Sequence, residues 1–151
     1  MNFANKYLIP YLQISKNCGI NTEGDCYFPY RNKNERDTYR NFTDTRARFY
    51  LNDGTLVGVL VNANAGVIAI YFDINGQQNP NMFGKDLFEY WYYINNPDTT
   101  ELNGKLLPGY NHLTREDHIT GEMSGACKNK GWGCADLIMK DGWQMKDDYP
   151  W

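Results

Sequence analysis

The chain is poor in serine and histidine, carries no surplus of basic charge and has no long apolar run. Each shortage removes a class of function. Ser15 and Ser124 are its only serines; Ser15 lies in the first apolar-periodic segment, and Ser124 stands in Met-Ser-Gly-Ala without the glycine framing of a nucleophile elbow. His112 and His118 share the polar stretch NHLTREDHIT, where Glu116 and Asp117 could orient an imidazole, but no nucleophile is offered nearby. Histidines in such a loop are more often solvent-exposed or capping. A formal charge of −3 and a pI near 5.3 speak against a broad basic footprint, so nucleic acid is not an expected partner. No run of 18 apolar residues occurs, and the opening MNFANKYLIPYLQISKNC is interrupted by Lys6 and Pro10, so it does not read as a signal peptide. No glycine-rich turn followed by a lysine opens a helix, which removes a phosphate-cradling loop.

Four cysteines are present, Cys18, Cys26, Cys127 and Cys134, in two local couples with seven and six residues between their members. Three pairings are possible, and pairing within each couple is the simplest. Each short loop would contribute on the order of 2 kcal/mol by the chain-entropy model. Zinc is the rival, but it usually wants cysteines two to four residues apart, and neither couple has that spacing. Disulfides place the chain in an oxidising, extracytoplasmic setting. With no export segment in the sequence, Met1 is expected to be a start codon added to an expressed fragment.

At 151 residues the chain is the size of one domain, able to bury about two-thirds of its unfolded surface. Phe3, Tyr7, Leu8, Tyr11, Leu12 and Ile14 recur at helical spacing, which predicts an amphipathic helix over 3–16, kinked at Pro10 or starting near it. Residues 18–43 lose periodicity and read as a disulfide-stapled loop. Arg46 to Leu51, Thr55 to Asn62 and Gly66 to Asp73 are apolar-rich runs separated by Asn-Asp-Gly and Asn-Ala-Asn-Ala-Gly turns, the pattern of an antiparallel meander. Val57, Val59 and Val61, and again Val67, Ala69 and Tyr71, give each strand one face for the helix to cover. Asp86 to Ile94 reads as a fourth strand, Thr99 to Glu122 as polar and irregular, and Gly133 to Lys140 as two helical turns before an aromatic tail. The expected fold is therefore α+β: one domain over 1–151, an N-terminal amphipathic helix packed on a meander of three to four strands, with a stapled loop and an irregular C-terminal region.

The most specific local motif is Asp73-Ile-Asn75-Gly-Gln-Gln-Asn79-Pro-Asn81-Met-Phe-Gly-Lys-Asp86. Calcium takes six to eight oxygens, and Asp73, Asn75, Asn79, Asn81 and Asp86 with nearby carbonyls could supply them, with Asp141, Asp147 or Asp148 adding a carboxylate if the tail folds back. The EF-hand pattern is absent, because the glycine comes too early and no glutamate stands at the twelfth position. The same residues also suit two plain turns, at Asn75-Gly76 and Asn79-Pro80. Trp91, Tyr92, Tyr93, Trp132 and Trp143, with Glu89 or Asp86, could form a sugar platform on a carbohydrate-binding module or small glycan-active enzyme; the competing reading is a strand face in the core. Asn41-Phe-Thr43 matches a glycosylation acceptor, a short and common pattern.

Three stretches carry a family resemblance: Lys6-Tyr-Leu-Ile-Pro10-Tyr ahead of Cys18, DINGQQNPNMFGKDLF from Asp73 to Phe88, and the end CADLIMKDGWQMKDDYPW. They resemble the globular part of bacterial type IV pilin-like proteins, including type II secretion pseudopilins, with the apolar half of the first helix removed and residues 1–17 as its remnant. The resemblance implies a non-enzymatic filament or pseudopilus subunit whose partners are other pilin-like subunits. It implies an inner-membrane anchor through the removed helix before assembly, and a periplasmic or cell-surface location. It also implies Ca2+ in the loop after the sheet, though the ligands do not map one to one. A short C-terminal disulfide, Cys127 to Cys134, would mark a minor or atypical subunit.

Overall fold

Pro10 stops the first helix almost as it starts. The structure, a computed structural model, describes residues 3–20, 26, 29–33, 40–41, 47–96 and 98–151. Helix α1 covers Phe3–Tyr7, a 3-10 turn covers Ile9–Tyr11, and the chain then extends as strand β1, Ile14–Gly19. Proline lacks an amide donor and disfavours helical backbone in the residue before it, which favours a break near Pro10, and residues 14–19 pair with the strand Ala47–Leu51, so the helical spacing over 3–16 does not become one helix. The apolar residues divide instead. Phe3, Ala4, Leu8, Ile9 and Ile14 pack on the sheet, while Tyr7 and Leu12 are exposed and Tyr11 is 82% exposed.

Strands β2 (Pro29–Tyr30) and β3 (Arg40–Asn41) pair as a short antiparallel ribbon. They are followed by β4 (Ala47–Leu51), β5 (Leu56–Asn62), β6 (Val67–Asp73), β7 (Leu87–Tyr93) and β8 (Leu106–Pro108), then by helices α2 (Arg115–Thr120) and α3 (Cys134–Lys140). Six strands form one antiparallel sheet in the order β1-β4-β5-β6-β7-β8. This overturns the expected α+β arrangement of a long helix on three to four strands. The predicted meander is the middle of the sheet. One edge is built from residues whose spacing suggested helix, and the other from Leu106–Pro108, too short to show alternation.

The register sorts the side chains onto two faces. Phe49, Val57, Val59, Ile68 and Ile70 join Ala47 and Ala4 on the face that α1 covers. Leu56, Ala69, Tyr71 and Leu87 lie with Phe83 on the other. Since Val59 stands opposite Ile70, and Gly58 opposite Tyr71, the α1 side of β6 carries Ile68 and Ile70 rather than the expected Val67, Ala69 and Tyr71. The second face is unusual in burying charge: Arg48, Asp73 and Glu89 are all nearly inaccessible. A third cluster, Cys127, Cys134 and Leu137 with Phe88, Ile119 and Tyr149, joins α2, α3 and the tail at the end of the sheet.

Both cysteine couples close internally, Cys18 to Cys26 and Cys127 to Cys134. Among the described residues no helix is long and apolar enough to cross a membrane. The polar stretch expected to be irregular contains α2, started by a reciprocal cap in which the Thr114 side chain accepts from the Asp117 amide and Asp117 accepts from the Thr114 amide.

Candidate functional site

Strand β6 ends by turning Asp73 inward, where only 1% of the residue remains exposed. The loop from there to β7 folds around a second buried carboxylate, Asp86. Its Oδ2 accepts the Asn81 amide (2.8 Å) and its Oδ1 the Met82 amide (2.7 Å), so one side chain fixes two consecutive peptide groups. Asn81 sits at φ +48 next to a cis Asn79–Pro80 peptide and donates from its side chain to Gln77 O (3.2 Å). With its NH2 group turned inward, the Asn75 amide donates to Asp73 Oδ1 (2.8 Å), Gln78 O (3.2 Å) and Asp86 Oδ2 (3.3 Å).

Two buried acceptors in this loop, Asp73 Oδ2 and Asn81 Oδ1, take part in no hydrogen bond. Burial and the neighbouring Asp86 charge push the Asp73 carboxyl up to about 8. The donor set that converges is thus two carboxylates with amide and main-chain oxygens, the hard chemistry that suits calcium. It contains no cage of three or more His, Cys, Asp or Glu, and none occurs elsewhere among the described residues. Four of the five expected ligands are gathered here. Asn79 is exposed and shares no hydrogen bond with them. Of the three tail carboxylates, Asp141 and Asp148 pair with Arg115, while Asp147 lines a recess with Gly84 and Lys85 on the outer side of the loop. Beside the loop opens a cleft of about 450 Å³ lined by Tyr50, Asp53, Asn75, Gln77 and Gln78.

The aromatic residues do not form a single platform. Trp91 and Trp132 flank Tyr110, with ring centroids 5.0 and 5.6 Å from it, and all three are half-buried. The Trp91 indole donates to Glu89 Oε1 (2.7 Å) and that of Trp132 to Asn32 Oδ1 (2.7 Å). Tyr93 is buried, Tyr92 packs on the α1 face, and Trp143 is 63% exposed on the tail.

His118, expected to be a solvated or capping residue, is completely buried. Its Nδ1 accepts the Cys127 amide (3.3 Å), which assigns the ring proton to Nε2, 2.9 Å from Asp136 Oδ2. Lys140 also pairs with Asp136. A Cβ on Gly133 would stand 2.4 Å from the imidazole, so the disulfide loop is wrapped directly around the ring. Thr114 and Asp117 of the capping box were the sequence signal for the helix that buries it. His112 remains exposed.

A family model covering residues 1–151 matches the chain, that of DUF6613, a family of unknown function. The chain belongs to DUF6613. No curated protein and no solved structure matches it. The paired carboxylates, the buried His118 and the two closed disulfides are therefore what this DUF6613 chain offers as functional landmarks.

Proposed function

We propose that this chain is a non-enzymatic subunit of an extracytoplasmic filament or pseudopilus, of the type IV pilus or type II secretion kind, and that its Asp73 loop holds a structural Ca2+. The observation that carries the assembly reading is the sheet face beside α1. That short helix leaves a groove of about 380 Å³ lined by Phe3, Tyr7, Leu8, Ile70, Tyr92 and Leu106, of which Tyr7 and Leu106 are about half exposed. An apolar groove rimmed by accessible Tyr and Leu suits packing against another subunit. Two disulfides fit an oxidising compartment. The two longer stretches behind the resemblance also touch in space, since the Tyr149 hydroxyl donates to Gly84 O (2.7 Å) and Cys134 packs on Gly84. In this reading an apolar helix ahead of residue 1 anchors the precursor in the inner membrane, and other pilin-like subunits are the partners.

The carbohydrate-binding alternative draws no support from the arrangement of Trp91, Trp132 and Trp143, because the first two are spent on Tyr110 and the third stands apart.

Expression of the full-length gene in its own host tests the assembly reading. Recovery of the chain in sheared extracellular filaments, reduced by Tyr7→Glu with Leu106→Glu, is the expected result. A chain found only inside the cytoplasm, or a groove variant incorporated as well as the wild type, would overturn it.

A further inference from the structure

The last residues of the chain return to the outer side of the oxygen-lined loop. Tyr149 donates its hydroxyl to Gly84 O (2.7 Å), and burial raises that hydroxyl above its ordinary value. A Cβ on Gly84 would stand 2.7 Å from Trp151 Nε1 and 2.4 Å from Cys134 Sγ, so tail, disulfide and loop meet at one glycine held at φ +81. Lys85 of the loop and Lys33 lie 5.8 and 4.5 Å from the Trp151 ring centroid, and Lys33 also donates to Pro150 O. The root of the tail is fixed by Arg115, which bonds Asp141 (2.6 Å) and Asp148 (2.8 Å). Gly84 lies between Met82, whose amide Asp86 accepts, and Asp86 itself. A pull on its carbonyl is therefore a pull on the segment that sets Asn81, Met82 and Asp86.

We propose that the C-terminal tail, through Tyr149 and Trp151, is a positioning strap for the Asp73–Asp86 loop, so that docking of the tail and binding of a divalent cation strengthen each other. The cation half of this inference rests on the calcium reading above; the strap itself rests on the contacts at Gly84. By linkage the coupling is reciprocal: whatever the docked tail adds to cation affinity, the bound cation returns to tail docking. Neither Tyr149 nor Trp151 supplies a ligand. They act through the backbone of residues 82–86.

The test uses the whole chain with Tyr149→Phe, which keeps the ring and removes the hydroxyl, and Trp151→Leu as a second variant that leaves the Tyr149 bond in place. Amide hydrogen exchange is measured in EDTA, and calcium chloride is titrated calorimetrically. Loss of one such hydrogen bond predicts exchange at Asn81 and Met82 roughly three- to tenfold faster in Tyr149→Phe, with the amides of β5 unchanged. Calcium affinity should fall by a similar factor while the circular dichroism stays that of the wild type. Unchanged exchange at Asn81 and Met82 in both variants would overturn the strap, as would unchanged calcium affinity in a protein that binds calcium. No heat on adding calcium to the wild type would sink the calcium reading alone, and the exchange measurement would still decide the strap.

Discussion

Asp73 is the residue whose chemistry is most exposed by its surroundings, although the side chain itself is buried. Its carboxyl titrates near 8 in the folded chain, against about 4 when unfolded. A raised acid pKa favours folding below the unfolded value, and that contribution is lost as the pH rises through about 8. In EDTA, Asp73→Asn should therefore melt higher than the wild type at pH 8 and show a smaller gain at pH 5. Calcium should reverse the wild type's deficit, because an ion that binds only the folded state stabilises it by about 2.7 kcal/mol at a hundredfold excess over Kd. For a chain of this size that is a rise in melting temperature on the order of 5 to 10 °C. The Asp73→Asn protein should show no calcium shift. A wild type whose melting temperature ignores both EDTA and calcium would leave the loop as a plain pair of turns tied by Asn75.

At the scale of elements, the decisive competition is between local spacing and pairing partners over residues 3–19. Apolar residues at helical intervals favour one helix, yet Ile14–Gly19 finds a partner in β4, with Ile14 opposite Leu51 and Asn17 opposite Phe49. The Ser15 hydroxyl adds a bond to Leu51 O (3.1 Å). A full set of strand pairings, anchored by the half-buried Ile14, outweighs the few tenths of a kcal/mol per residue that helix propensity offers. If pairing rather than Pro10 holds β1, then Pro10→Ala should leave the far-UV circular dichroism nearly unchanged. A gain of one or more helical turns in that variant would show that proline alone prevents the long helix. Helix α2 illustrates the reverse case, a six-residue helix started by its cap and completed by the burial of His118.

For the molecule as a whole, the two ends are fastened by different chemistry. The disulfide from β1 to Cys26 constrains the first edge of the sheet covalently. The tail is held by the Arg115 pairs and by Tyr149. Bonding to Arg115, with help from Lys146, holds the Asp141 carboxyl below its ordinary range. A lowered acid pKa gives stability that is present above about 4 and is lost as the pH falls through the folded value. Tail docking, followed by the exposed Trp143 and Trp151 in fluorescence, should therefore loosen as the pH falls below about 4, before the sheet unfolds. Asp141→Asn should be looser at pH 7 and should lose that acid transition. A tail signal that stays flat for the wild type down to pH 2 would mean that the ion pairs do not fasten it.

Residue order alone determined the central strands, the turns between them and the carboxylate-amide loop. Period-two alternation and Asn-Gly turns are local signals that burial on a sheet face only reinforces. It left three disulfide pairings open, of which the simplest, with seven and six residues between partners, is the one that forms. Only the tertiary structure decided the rest. It turned the end of the predicted first helix into an edge strand, because β4 supplied hydrogen bonds that no local window contains. The same long-range packing kept Asn79 out of the loop's interior, drew His118 into the core against Asp136, and brought Tyr149 back across 65 residues to Gly84. Contacts between residues so distant in sequence leave no periodicity behind. They exist because burial pays only once the sheet is complete.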